Sequence, residues 1–423
     1  MKLHIDIDCF FVSAERIDKP YLKNIPLAVG GRSNLSIFEH KKNKRTLSNI
    51  GGAFTSSILS SNDDKSFEEY FMDQNKKIRG IITTSSYEAR KYGVKTTMSV
   101  AEALRWCPHL KVLPPNYPLY HDLSYKLKQL LSHEIPSIEQ FSIDEFFGDV
   151  SGWVEEKDLY EFAFNLKQNI YDKLGLPVSI GVSESKWIAK LATDFIKPNG
   201  IKYIKKDEIY NFTKDIPIQD FPGIAKGYKN RLKKYNITKL GQIKDKKQLF
   251  YSWGKHGISL YHRVCGDDNE PMSIQKQRKS ISIARTFEPL FCRKEMKRRV
   301  SILCRHISFI ALKKNHRPLN FALKIKYQYG EKSKAYIKTN RIFNEILLKQ
   351  EMLNLFYKID IHPSHGIIQV YLTLSNFEEN NPTTTNLFYY KKDTKQSKLT
   401  KSMQTLRDKY GIDIIKSARE LER

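Results

Sequence analysis

Two adjacent carboxylates interrupt an apolar stretch of this chain. In the run Phe141-Ser142-Ile143-Asp144-Glu145-Phe146-Phe147, Asp144 and Glu145 lie between bulky apolar side chains. An unpaired buried carboxylate costs several kcal/mol or takes up a proton. The pair therefore requires a counter-charge, and a divalent cation is the simplest one. Successive side chains of a strand point to opposite faces, so only a strand end or a turn would let both carboxylates reach one site.

The N-terminus supplies a second acidic element. Apolar residues at positions 3, 5 and 7 alternate with His4, Asp6 and Asp8, which predicts a strand with one apolar and one acidic face. Such a strand beside the Asp144 segment would bring three or four carboxylates together on Mg²⁺, which prefers oxygen ligands. From these two stretches alone, a solvated strand edge with a structural acid pair is an interpretation of about equal weight.

The net charge indicates a polyanionic partner. The 423 residues carry a formal charge of +26, which favours nucleic acid first and acidic membranes second. A lysine-biased genome is the alternative explanation, but such a bias would spread evenly along the chain. Residues 276–350 instead contain 20 Lys or Arg against 4 Asp or Glu, which indicates a local binding surface.

The cysteines and the apolar runs disfavour several other classes. The five cysteines are scattered and form no CxxC pair, which argues against a zinc site and fits a reducing cytosol. The first residues do not resemble a signal peptide, and no apolar run approaches the roughly 18 residues of a membrane span. We therefore expect a cytoplasmic protein that does not bind membranes.

The alternation of strand and helix patterns predicts a multidomain α/β (α+β) fold. No glycine fingerprint for a dinucleotide accompanies the patterns up to residue 205. Residues 33–79 are polar and predict a surface insertion with one helix near 67–75. After a polar linker at 269–276, strands at 321–327 and 369–374 predict a separate α/β domain, and residues 381–423 predict a tail that ends in a helix.

A short segment before a basic helix at 227–235 resembles a helix-hairpin-helix. The backbone amides of such a hairpin hold a DNA phosphate, as helix N-termini hold anions. Ala225 stands where these hairpins commonly have a second glycine, and Asn236 stands where glycine is common but tolerates the left-handed conformation. An ordinary helical turn is the alternative, at roughly one in three. The candidate DNA-binding residues are Pro222, Gly223, Ile224, Ala225 and Lys226.

Four motifs in order resemble one family. They are the segments 4–11 (HIDIDCFF), 87–94 (YEARKYGV), 142–145 (SIDE) and 197–200 (KPNG). Together they resemble a Y-family, translesion DNA polymerase, most closely of the DinB (DNA polymerase IV) branch, over nearly the whole chain. The resemblance implies a right-hand architecture with a palm at 1–9 and 116–205, fingers at 10–115, a thumb at 206–268 and a little finger at 277–380.

The resemblance also implies the chemistry. Members of the family add deoxynucleotides to a primer 3′ end by two-metal phosphoryl transfer, in DNA repair and damage tolerance. Two Mg²⁺ ions would be bound by Asp6, Asp144, Glu145 and the backbone carbonyl of Ile7. The expected contacts to the triphosphate are the backbone amides of Phe10 and Phe11 and the side chains of Thr84, Tyr87, Arg90 and Lys197. The ring of Phe11 would be a steric gate beneath the 2′ position of the sugar.

Three departures from the family pattern concern the fingers and the C-terminus. The insertion at 33–79 is long, Ser85-Ser86 stands where Ala-Asn is common, and residues 384–388 (TTNLF) only half resemble a sliding-clamp peptide.

The expected partners are primer-template DNA, deoxynucleoside triphosphates and, through that peptide, a sliding clamp, with the chain itself a monomer. The alternatives are a catalytically inactive DNA-binding protein of the same fold and a two-metal nuclease or nucleotidyl cyclase.

Overall fold

Strand β1 (Lys2–Ile7) lies at the centre of a five-stranded sheet and is hydrogen-bonded along both edges. This computed structural model describes residues 1–38, 66–73, 75–273, 278–378 and 386–421. The described residues form two compact units. The first comprises residues 1–31, 66–73 and 75–273, and the second comprises residues 32–38, 278–378 and 386–421.

The helices and strands alternate over most of the described chain. The remaining strands are β2 (Leu27–Gly31), β3 (Ile81–Ser85), β4 (Lys111–Leu113), β5 (Ser137–Gln140), β6 (Glu145–Asp149), β7 (Val178–Ser183), β8 (Ile201–Ile204), β9 (Ser280–Leu290), β10 (Pro318–Tyr327), β11 (Lys332–Lys338) and β12 (Ile367–Phe377). The helices are α1 (Phe10–Asp18), α2 (Phe67–Phe71), α3 (Tyr87–Lys91), α4 (Val100–Trp106), α5 (Tyr117–Glu134), α6 (Leu159–Leu174), α7 (Lys186–Ile196), α8 (Ile209–Thr213), α9 (Lys226–Lys233), α10 (Lys247–Tyr251), α11 (Lys255–Cys265), α12 (Arg293–Lys313), α13 (Glu345–Ile359) and α14 (Tyr390–Tyr410). Among these, no helix is long and apolar enough to cross a membrane.

The first sheet has the order β5-β6-β1-β7-β8. The apolar side chains of β1 are buried in a core shared with α5 and α6, as the alternation predicts. The polar side chains His4 and Asp6 of β1 are buried as well, and so is Asp8 directly after the strand. All three are at most 5% exposed. A solvated strand edge is therefore the wrong interpretation, and the carboxylates of β1 need partners inside the protein.

Helix α7 packs closely on β1 and β7 because Gly181 gives it room. A Cβ atom at Gly181 would lie 2.0 Å from the carbonyl oxygen of Ala189 in α7. The close approach brings Thr193 within 3.0 Å of the His4 ring, measured from Oγ1 to Nδ1. It therefore places the polar side chains of α7 beside those of β1.

A second sheet of the first unit has the order β3-β2-β4. The last part of the predicted insertion, which includes α2, packs against this sheet. Helix α2 forms where the sequence predicts a helix, but its residue Phe71 is fully buried in a core with Ile82 and Val100. Gly30 accommodates this ring, since a Cβ atom there would lie 2.8 Å from it. The prediction of a surface insertion is therefore wrong for Phe71, whereas Phe54 lies outside the described residues.

The beginning of the predicted insertion belongs to the core of the second unit. Ile37 and Phe38 are 2% and 5% exposed there, and the rings of Phe38 and Phe287 meet edge-on with centroids 6.4 Å apart. Arg298 donates to the Phe38 carbonyl at 3.1 Å, and the amide of Thr286 donates to Ser33 at 2.9 Å. The surface prediction is wrong here too, because partners about 250 residues further along the chain cover this segment, at a separation that local patterns do not detect.

The second unit combines a sheet of order β11-β10-β12-β9 with helices α12 and α13 on its apolar face. The C-terminal residues also belong to this unit. Glu420 accepts from Arg305 at 2.6 Å and from Lys349 at 2.6 Å, and Arg407 of α14 is paired with Glu345. All five side chains are buried. The predicted tail at 381–423 is therefore wrong for α14 and the residues after it.

The burial of Phe38 predicts a stability effect in the second unit. Phe38→Ala should lower the free energy of unfolding by about 3–5 kcal/mol, because the substitution leaves a cavity in a packed core. Phe388→Ala is the matched control, since Phe388 is 97% exposed, and it should change stability by less than about 0.5 kcal/mol. Chemical denaturation of the full chain measures both, and equal midpoints would show that Phe38 is not a core residue.

Candidate active site

A tight turn between β5 and β6 presents the two adjacent carboxylates. Ser142 Oγ accepts hydrogen bonds from the amides of Asp144 and Glu145 at 3.3 and 3.2 Å, and the Ser142 amide donates to the Glu145 carbonyl at 3.1 Å. Asp144 therefore lies in the turn, and Glu145 begins β6. The prediction that the two carboxylates lie at a strand end or a turn is confirmed.

The register of the sheet places Asp6 directly opposite Glu145. One ligand atom each from His4, Asp6 and Glu145 can be chosen so that all three lie within 4.8 Å of one another. Asp144 is outside this close group, although its charge still acts on Asp6. Its carbonyl accepts from the Ile7 amide at 3.1 Å, which fastens the turn to the end of β1. The predicted carboxylates are thus brought together at one end of β1.

Two lysines pair with these carboxylates. Lys197 Nζ lies 2.8 Å from Asp6 Oδ1, and Lys190 Nζ lies 2.6 Å from Glu145 Oε1. Lys197 belongs to a motif of the sequence, whereas Lys190 was not predicted. Lys190 lies four residues after Lys186 on α7, so the two lysines share one face of the helix. Lys186 also pairs with a buried glutamate, Glu139. The spacing of the two lysines was the available signal in the sequence.

The electrostatics of the site fit a bound cation. Burial raises the pKa of Asp6 to about 7 against the opposing effect of Lys197, and the charges of Asp144 and Glu145 raise it further. Burial also raises the pKa of Asp144. For His4, burial and then the charge of Lys190 lower the pKa well below its usual value, so the ring is neutral. Oxygen donors with raised pKa values, grouped at one strand end, are suited to a divalent metal ion.

Asp8 has a different environment from the other carboxylates. It accepts hydrogen bonds from Ser179 Oγ at 3.0 and 3.1 Å, from the Asn199 amide at 2.7 Å and from the Tyr87 hydroxyl at 3.2 Å. These donors come from β7, from the loop that follows α7 and from α3. Asp8 therefore ties these elements to the end of β1, and metal binding by this residue is not needed to explain its burial.

The residues expected to contact a triphosphate lie on three elements. Helix α1 begins at Phe10, directly after β1, and no side chain among the described residues caps it. Its first-turn amides have no partner within the helix, so this end favours anions. On α3 the Arg90 guanidinium stacks over the Tyr87 ring at 4.8 Å and donates to the Ser85 carbonyl at 3.1 Å. Thr84 lies in β3 opposite Val29.

Phe11 is held rigidly by two tyrosines of α5. Its ring stacks on that of Tyr120, with centroids 4.3 Å apart and planes 11° from parallel. Tyr117 meets it edge-on at 6.1 Å. Phe10 is also buried, at 2% exposed, so both aromatic residues contribute to the core.

The predicted hairpin has the backbone that its sequence suggests. Gly223 has a φ of 100°, a conformation that side chains rarely adopt. Ala225 is extended and precedes the first residue of α9, Lys226. Asn236 has a φ of 57°, so the left-handed conformation expected for it is confirmed. Contact between residues 222–226 and DNA stays a prediction.

The outer face of the second unit's sheet concentrates basic and aromatic side chains. Lys324 of β10 lies opposite Lys334 of β11, and Lys326 lies opposite Lys332. Like charges directly across a strand pair are destabilising, so this face favours an anionic partner. Tyr336 on β11 is 76% exposed between these lysines and Lys338. In contrast, four of the basic residues counted between 276 and 350 are buried and do not reach this face: Arg285, Arg298, Arg305 and Lys349.

The fold and the site together define a class. A partly buried carboxylate centre at a strand end, an adjoining helix N-terminus and a separate basic sheet are the parts of a metal-dependent enzyme that transfers phosphoryl groups on nucleic acid. Comparisons with known proteins specify this class further. The model of the impB/mucB/samB family matches residues 5–194.

Curated relatives and solved structures agree with that match. The chain is 31% identical to DNA polymerase IV of Cronobacter sakazakii and 32% identical to DNA polymerase IV of Photorhabdus laumondii, in each case over 290 residues that cover 67% of this chain and 70% of the relative. A Y-family DNA polymerase chimera of Dbh and Dpo4 superposes with a TM-score of 0.71, at 23% identity over 90% of this chain and 99% of the chimera.

The chain belongs to the impB/mucB/samB family of Y-family, translesion DNA polymerases, in its DNA polymerase IV branch. Its fold is the right-hand fold of that family, with palm, fingers, thumb and little finger. The α/β (α+β) multidomain fold predicted from the sequence is thereby confirmed.

The basic sheet face predicts the salt dependence of DNA binding. Replacing Lys332, Lys334 and Lys338 by Gln should reduce the slope of log K against log salt by about 2–3, because each phosphate contact contributes about 0.9. The control replaces three exposed lysines of α14, at positions 391, 398 and 401, which changes the net charge equally. Fluorescence anisotropy with primer-template DNA measures the slopes, and equal slopes in both triple variants would exclude this face as the DNA contact.

Proposed function

We propose that the chain, as a DNA-directed DNA polymerase, extends a primer 3′ end with two Mg²⁺ ions held by Asp6, Asp144, Glu145 and the Ile7 carbonyl. The observation that carries this proposal is the placement of Asp6 opposite Glu145, with the turn carrying Asp144 fastened to the end of β1. Bound metal there would stabilise the attacking and leaving oxygens of the transfer.

The chain's own groups orient the nucleotide. Arg90 offers a planar fork whose orientation is fixed by the Tyr87 ring, so it suits a phosphate oxygen pair. Lys197 adds a compact positive charge beside Asp6, and Thr84 adds a hydroxyl donor. The Tyr87 hydroxyl donates to Asp8 and would have to turn toward the triphosphate to serve as a further donor. The amides of Phe10 and Phe11 at the start of α1 complete a donor set for the triphosphate.

Phe11 acts as the steric gate. Its ring cannot hydrogen-bond a 2′-hydroxyl, and Tyr120 and Tyr117 prevent it from moving aside. Rejection by a fixed clash works through repulsion of the wrong substrate. A pocket that merely fails to pair a hydroxyl discriminates only about 10²-fold, so a backed ring should exceed that value.

Primer-template DNA contacts two regions. The hairpin at 222–226 offers backbone amides to a phosphate, and the sheet face with Lys324 and Lys334 offers a dense positive field. We assign the palm, fingers, thumb and little finger to the residue ranges predicted from the sequence, with 33–38 and α14 added to the little finger. A sliding clamp would dock on Leu387 and Phe388, whose side chains are 84% and 97% exposed.

The metal assignment predicts the behaviour of Asp144→Asn. The substitution keeps the shape of the side chain but removes one anionic ligand, so primer extension should fall more than about a hundredfold, a loss of about 3 kcal/mol of transition-state stabilisation. DNA affinity should stay unchanged. Asp149→Asn, further along β6 and paired with Lys2, is the control and should extend normally.

Single-turnover extension in Mg²⁺ separates the two results. Near-normal extension by Asp144→Asn would contradict the two-metal assignment. The same assay decides the alternative of a catalytically inactive DNA-binding protein, since that protein would extend no primer in its unmodified form.

The gate assignment predicts the selectivity of Phe11→Ala. This variant should still incorporate deoxynucleotides but accept ribonucleotides, because the clash is gone and the carboxylates are untouched. The ratio of kcat/KM for dCTP to that for CTP opposite template G should fall at least about tenfold. Phe10→Ala removes a neighbouring buried ring and should leave the ratio unchanged. An unchanged ratio in Phe11→Ala would show that Phe11 serves packing alone.

A further inference from the structure

Two tryptophans are exposed on the first unit, and the charges around them have opposite signs. Trp106, the last residue of α4, is 59% exposed, and Trp153 is 65% exposed. Residues 91–111 carry four Lys or Arg against one Glu, whereas residues 149–161 carry one Lys against five Asp or Glu. Only the ring of Trp106 therefore lies in a field that attracts a polyanion.

The backbone of Gly93 supports the indole of Trp106 from one side. A Cβ atom at Gly93 would lie 3.1 and 3.4 Å from two atoms of the benzo ring. Gly93 has a φ of 87°, and its amide donates to the Arg90 carbonyl at 2.9 Å, in the turn that ends α3. A side chain at this position would be strained and would push the indole away. The ring of Trp106 is thus fixed against backbone while more than half of its surface stays open.

Tyr92 adds a second exposed ring, directly before Gly93 in the chain. It is 48% exposed, and its ring meets that of His109 edge-on with centroids 4.9 Å apart. His109 Nε2 lies 3.7 Å from the sulfur of Cys107, the residue after Trp106. These contacts join the end of α3 to the end of α4. We call Trp106 and Tyr92, together with Gly93, the aromatic platform.

Four basic side chains accompany the aromatic platform, and all four are exposed: Lys91, Lys95, Arg105 and Lys111. None of them forms an ion pair with a residue that the structure describes. Exposed cations beside aromatic rings are the combination that binds single-stranded nucleic acid, because the cations pair with phosphates while unpaired bases stack on the rings. Paired bases are already stacked on one another, so a duplex would leave the rings of the platform unused.

We propose that the aromatic platform and its four basic neighbours bind single-stranded DNA, with an unpaired base stacked on Trp106. A primer-template offers such a strand, because the template continues unpaired beyond the primer end. The inference goes beyond the proposed function, whose metal, nucleotide and DNA contacts use other residues. The platform gives the first unit its own contact with the template strand, independent of the basic sheet of the second unit.

The test compares the affinity of the full chain for two DNA molecules with the same duplex. One is blunt, and the other has an overhang of about ten unpaired template nucleotides. Trp106→Ala should weaken binding to the overhang DNA about tenfold, the loss expected for one stacked base, and should leave binding to the blunt duplex unchanged. Trp153→Ala is the matched control, since it removes an exposed indole from acidic surroundings, and should change neither affinity. Fluorescence anisotropy at one fixed salt concentration measures all of these affinities.

An abasic overhang separates stacking from charge. The unmodified chain should bind this DNA about as weakly as Trp106→Ala binds the ordinary overhang, and Trp106→Ala should weaken it no further. The double variant Lys91→Gln, Lys95→Gln should instead weaken binding to both overhangs, because it removes phosphate contacts. Trp106→Phe provides a second measurement if the alanine variant does not fold. Quenching of tryptophan fluorescence by a single-stranded oligonucleotide should be lost in Trp106→Phe and kept in Trp153→Phe.

Two results would overturn the proposal. Equal affinity of Trp106→Ala and the unmodified chain for the overhang DNA would show that no base stacks on this ring and would leave a protein as the partner of this surface. An equal loss of affinity for the blunt duplex would show that the surface contacts paired DNA. Neither result bears on the metal assignment, which primer extension by Asp144→Asn tests separately.

Discussion

The charge balance at the end of β1 is the constraint on which the first unit depends. Placing the buried Asp6 beside the partly buried Glu145 is unfavourable unless cations accompany them. Lys190 and Lys197 supply part of that charge from α7 and from the residue that follows it. The order of the sheet, the turn that carries Asp144 and the close approach of α7 to Gly181 all serve to gather these groups.

A second set of buried charges, in the second unit, shows the opposite balance. Burial alone would raise the pKa of Glu345, but Lys349 and Arg407 outweigh it and lower the pKa to about 2. That carboxylate is fully compensated by its protein partners. Asp6, with a pKa raised to about 7 despite Lys197, is not. The direction of each shift therefore depends on whether burial or the neighbouring cations have the larger effect on the carboxylate.

The sequence predicted the parts of the site that are encoded locally. The alternation around Asp6 and the isolated pair at 144–145 identified the carboxylates. A charged pair between apolar residues required a strand end or a turn, and the structure contains a turn there. Lys190 was missed because a lysine on an amphipathic helix usually faces solvent. His4 was recognised only as part of a polar strand face, since its contact with Thr193 joins residues on two different elements.

The incorrect predictions of exposed segments share one cause. Phe38, Phe71 and Glu420 lie in polar stretches, and hydrophobic periodicity describes such stretches as surface. Each residue is buried by partners that are distant in the chain, such as Phe287 for Phe38 and Arg305 for Glu420. The polar composition of these stretches therefore predicted their backbone conformation better than it predicted which of their side chains are buried.

The docking of Phe38 sets an order of events during synthesis. Ribosomes add about 5–20 residues per second, so Phe38 leaves the ribosome roughly 12–50 s before Phe287 does. Glu420, which accepts from Arg305 and Lys349, is made after both of these partners. The core of the second unit therefore cannot close until Glu420 has been made. Until then Ile37 and Phe38 form an apolar segment without its folded partners, which is the kind of segment that aggregates in incomplete chains.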